Sequence, residues 1–63
     1  MNRTEKLTTF RLELAEAERT LRLVAALAAD HGAAGDPAGL RLGVEYTVAA
    51  LRVKLWRELV AEA

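Results

Sequence analysis

His31 is the only imidazole in this 63-residue chain, and it stands beside Asp30. Such a pair can ligate a metal or move a proton. A metal site needs three or four ligands of this kind, and the chain has no cysteine to supply them. The place of His31 at the end of a helical stretch predicts a capping role instead, where a cation favours the helix dipole and reaches the last carbonyls. Glu13, Glu16 and Glu18 form a second candidate, a carboxylate cluster of the di-iron type. That chemistry in a helix bundle uses inward-facing Glu-x-x-His motifs. The chain has none, and the three glutamates fall off the apolar seam described below, so a solvated face is expected. Trp56 and Tyr46 are the third candidate. They could line a small apolar pocket or simply pack at an interface. No Gly-rich phosphate loop, Ser/His/Asp set or nucleophilic thiol is present. The expectation is a chain without enzymatic activity, cofactor or metal.

The elements that would position these residues are helices. Alanine and leucine fill 24 of 63 positions, and both are strong helix formers. Asn2 is a plausible N-cap with Glu5 three positions on, the spacing of a capping box. Apolar residues then recur at Leu7, Phe10, Leu14, Ala17, Leu21, Val24 and Ala28, alternately three and four apart, as in a heptad seam. Gly32 suits the position just past a helix end. Asp36-Pro37 reads as an N-cap followed by the first helical residue. The spacing predicts one domain over 1–63: helix 1 over about 3–31, a loop at 32–36 and helix 2 over about 37–62. So short a connection makes the helices antiparallel neighbours. The fold class expected is all-α, a two-helix hairpin.

Helix 2 carries two apolar faces. At 100° per residue, Leu40, Val44, Val48, Leu51, Leu55 and Leu59 fall in one sector about 100° wide. Leu42, Tyr46, Ala49, Val53, Trp56 and Val60 fall in another about 80° wide. Arg41, Glu45 and Arg52 lie on one border between them; Thr47, Lys54, Arg57 and Glu58 lie on the other. Helix 1 has a thinner second patch of Leu12, Leu23 and Leu27, and its Glu18 and Arg22, four apart, are expected to pair. A lone hairpin covers one face of each helix. The first stripe of helix 2 is expected to pack on Leu7, Phe10, Leu14, Leu21 and Val24 of helix 1 as the core. The second, Leu42 to Val60, is expected to form an oligomer or partner interface.

Size and charge narrow the partners. A domain of about 60 residues is marginal alone, and neither disulfide nor zinc can assist here. Exposing a second stripe would forfeit about 1.5–3 kcal/mol for each large side chain. A twofold homodimer forming a four-helix bundle is the simplest solution. The alternatives are a small antitoxin-like or inhibitor-like regulator binding a different protein through the Leu42–Val60 stripe, and a small apolar ligand binder using Trp56 and Tyr46. Nine basic and nine acidic residues cancel. They are interleaved without a basic stripe, so no nucleic-acid partner is expected. No leader-like or membrane-spanning stretch is visible, which predicts a cytoplasmic protein with no membrane partner. Seven arginines against two lysines, with abundant alanine, suggest a small protein of a GC-rich bacterium.

From about Phe10 onward the chain resembles the C-terminal dimerisation domain of PadR-type transcriptional regulators. The stretches that carry the resemblance are Leu12-Glu13-Leu14-Ala15-Glu16-Ala17-Glu18, Asp36-Pro37-Ala38 and Leu40-Arg41-Leu42-Gly43-Val44-Glu45-Tyr46. Trp56 falls about one turn later than the family's tryptophan, and the family's winged-helix domain has no counterpart here. The resemblance therefore implies dimerisation through the helices and a ligand or partner surface, without DNA binding.

Overall fold

Helix α1 spans Arg3–His31 and helix α2 spans Pro37–Glu62 in the computed structural model, which describes residues 2–31 and 37–63. Among the described residues there is no strand. Gly32 and Asp36, with the rest of the expected loop, lie outside them.

Local chemistry accounts for where the helices begin. The Glu5 backbone N–H donates to Asn2 Oδ1 at 2.8 Å, which satisfies one of the amides that a helix start leaves unpaired. The reciprocal arm is a variant of the capping box: Asn2 Nδ2 donates to Glu5 Oε1 at 3.2 Å. The Lys6 N–H donates to the Asn2 carbonyl at 3.0 Å and opens the helical ladder. Helix α2 begins on Pro37, whose ring presets φ and whose missing N–H costs nothing in the first turn.

The two helices pack antiparallel. Arg3, in the first turn of α1, donates from Nε and Nη2 to the carbonyl of Ala63, just past α2, at 3.1 and 2.8 Å. Further along, the rings of Phe10 and Trp56 meet with centroids 5.6 Å apart, tilted by 51°. The result is a rod of 48 × 15 × 14 Å. Its radius of gyration is 14.5 Å, where a compact chain of this length would have about 10.6 Å. Its accessible surface is 4806 Å², against roughly 4,000 Å² for a compact protein of this mass. A pair of helices side by side has no third layer, so little of it is enclosed.

Gly43 lies inside α2 and is exposed, and a Cβ built there meets nothing within 4 Å. No close approach within the hairpin requires this glycine. Gly43→Ala should therefore stabilise the protein by about 0.5–1 kcal/mol, read as a higher midpoint in thermal unfolding. A lower midpoint would mean that something packs against this side of α2.

Candidate interaction surface

The core is small. Ala17, Ala49 and Val53 are 5, 7 and 3% exposed and are the buried hydrophobic residues among those described. Around them on α1 lie Leu7, Phe10, Leu14, Leu21, Val24 and Ala28, all half-buried. These are the heptad positions. On α2, Leu42, Trp56 and Val60 are half-buried beside Ala49 and Val53, and Tyr46, at the edge, is exposed.

For α2 this reverses the expectation from the sequence. The stripe assigned to an outside partner is the one that packs on α1. The stripe assigned to the hairpin core faces out: Leu40, Val44, Val48, Leu51 and Leu55 are 51–66% exposed. Leu59, on the border toward Arg52, is half-buried. The physical reason is fit. Small Ala49 and Ala17 are both enclosed at the middle of the hairpin, which allows the backbones to come close. Trp56 and Phe10 pack ring on ring nearer the open end.

Polar contacts reinforce this orientation. Arg57 Nη2 approaches Glu18 Oε2 at 4.0 Å across the helices. The pairing expected within α1, Glu18 with Arg22, is not among the ion pairs of the described residues; Glu18 reaches across to Arg57 instead. Both partners are substantially exposed, so the pair orients more than it stabilises. Arg41 Nε and Glu45 Oε1 pair at 3.5 Å along α2, also in the open.

Beside the core, on the flank away from Arg57, a groove of about 260 Å³ runs between the helices. Its floor is Ala17, Thr20 and Ala49, its walls are Val24, Val44 and Val48, and Glu45 and Arg52 stand at its rim. Leu40, Leu51 and Leu55 continue the stripe of Val44 and Val48 onto the outer side of α2. On α1, Leu27 lies seven residues beyond Thr20 and on the same side by helical spacing, with Leu23 farther round; they are 50 and 61% exposed. Leu12, on the same outer side of α1 by helical spacing, is exposed as well. The flank that holds this groove is apolar toward Val24 and Val44 and polar toward Trp56, where Glu13, Glu16, Arg19 and Arg52 line it.

The other candidates are kept apart. Trp56 is engaged with Phe10, and the groove at its edge is lined by Glu13, Glu16, Ala17, Arg19, Thr20 and Arg52, without Tyr46. Glu13 and Glu16 are exposed, and no group of three or more potential metal ligands forms among the described residues. His31 is the last residue of α1 and is exposed. A cleft of about 410 Å³ at the open end lies between Arg3, Lys6, Phe10, Leu59, Glu62 and Ala63. Two donors of the Arg3 guanidinium there are spent on the Ala63 carbonyl.

The fold and surface together define a helical hairpin with one uncovered apolar flank. Among the described residues, no helix is long and apolar enough to cross a membrane. No family model, curated protein or solved structure matches the chain.

Proposed function

We propose that this protein is a non-enzymatic, cytoplasmic homodimerisation module, in which two hairpins join through their apolar flanks into a four-helix bundle. The observation that carries this reading is the outward stripe Leu40, Val44, Val48, Leu51 and Leu55 on α2, larger than the core it accompanies. Together these side chains leave roughly 500 Å² in water. A stable complex buries ~800 Å² on each partner, and the stripe supplies a large part of that. Patches of this size mark interaction surfaces. The resemblance to PadR-type dimerisation domains points the same way.

Light scattering on the purified protein at micromolar concentration tests the reading. The expected mass is twice the chain mass of 6.9 kDa. A mass of 6.9 kDa with intact helical circular dichroism would overturn it and would leave the flank to a different protein.

A further inference from the structure

We infer that the two copies dock antiparallel, α2 against α2, about a twofold axis close to Val48. This rests on the homodimer reading above and adds the orientation and the contacts that select it. The first argument is the stripe itself. Leu40, Val44, Val48, Leu51 and Leu55 are spaced four, four, three and four residues apart. Reversed about a point beside Val48, the series falls on itself: Leu40 lies opposite the second copy's Leu55, Val44 opposite its Leu51, and Val48 beside its own counterpart. Every large side chain of the stripe then meets another one.

The second argument is charge. Glu45 and Arg52 stand on the same border of the stripe, at the rim of the groove. They are seven residues apart on one helix, about 10.5 Å along its axis, and among the described residues Arg52 makes no ion pair. A twofold axis perpendicular to the helices places this border against the same border of the other copy, in reverse order. Glu45 of each copy then sits two residues, about 3 Å along the axis, from level with Arg52 of the other, within reach of these long side chains, giving two symmetric opposite-charge pairs. Parallel docking instead brings each border against the opposite one at the same height. Arg52 would then face the second copy's Lys54, twice, and Glu45 would face Gly43 and Thr47. Like charges held together at an interface oppose that arrangement.

The groove gives the third argument. Small side chains, Ala17, Thr20 and Ala49, line it beside Val44 and Val48 of the stripe, so a leucine laid on the stripe reaches its edge. In the antiparallel arrangement Leu51 of the other copy arrives at Val44, on the groove wall, and each copy supplies the same knob to the other. Knob-into-hole packing of this kind is how helix bundles close.

The chain has no cysteine, so single cysteines report the geometry without interference. A disulfide needs Cα atoms within about 7 Å. Under mild oxidation Val48→Cys is expected to form covalent dimers. Leu40→Cys alone and Leu55→Cys alone are expected to stay reducible monomers on a denaturing gel, whereas an equimolar mixture of the two forms the mixed disulfide. Self-crosslinking of both Leu40→Cys and Leu55→Cys, with no preference for the mixed product, would overturn the antiparallel arrangement while leaving the dimer standing. A wild-type mass of one chain would overturn the dimer itself. Charge reversal is the second readout. Arg52→Glu should raise the dimer dissociation constant about tenfold, and adding Glu45→Arg on the same chain should restore it. Failure of the double variant to recover affinity would count against the Glu45–Arg52 contact.

Discussion

Val53→Glu leaves the chain without stable helical structure. Val53 is 3% exposed and lies between α1 and α2 at the level of the small Ala49 contact. A glutamate there loses the burial of the valine and forces a carboxylate among apolar side chains. The combined cost is about 4 kcal/mol or more. A single hydrophobic core in a chain this short rarely supplies more than about 3–5 kcal/mol. The circular dichroism at 222 nm should therefore fall toward the value of an unfolded chain at 25 °C. Retention of the wild-type spectrum and melting curve would show that Val53 does not face α1, and the placement of the whole inner stripe would fall with it.

Leu51→Glu acts on the opposite face and is expected to do something different. Leu51 is 61% exposed in the single hairpin, so within one chain a glutamate there costs little. In the dimer its removal forfeits about 1.5–3 kcal/mol of burial, and twofold symmetry applies the loss twice. The dissociation constant should rise about 100-fold or more. Light scattering should then report the single-chain mass at concentrations where the wild type is dimeric. The melting temperature of the wild type should climb with protein concentration, because dimerisation stabilises the folded state by mass action. That of Leu51→Glu should be lower and independent of concentration. A variant that keeps the wild-type mass would place the interface elsewhere. The pair of experiments separates the two apolar faces of α2: one holds the hairpin together, and the other is the proposed interface.

Much of this architecture is visible in the residues before any coordinates. Asn2 with Glu5, and Pro37 behind a predicted Asp36 cap, are local signals, and α1 and α2 begin at Arg3 and Pro37. On α1 the heptad spacing is enough to choose the buried side. The seam from Leu7 to Ala28 is flanked by charged residues, and its second apolar patch has only three leucines. Helix α2 offers no such choice. Its Leu/Val stripe and its Ala/Val/Trp stripe are about equally apolar, so periodicity marks both as buried faces without ranking them. The assignment of Leu40 to Leu59 to the hairpin core therefore has no spacing signal behind it, and that stripe is the exposed one.

The physical reason is that hydrophobicity is additive along a helix while packing is not. Two α-helices can approach closely where small residues are enclosed between them, as Ala17 and Ala49 are, and need more room where aromatic rings meet, as at Phe10 and Trp56. That match depends on which residue of α1 lies level with which residue of α2. Antiparallel register sets those levels, and no single helix contains the information. The helix count, the caps and the α1 seam follow from local propensity and spacing. The inward face of α2, and with it which apolar stripe is left exposed, follows from the steric fit between two helices brought side by side.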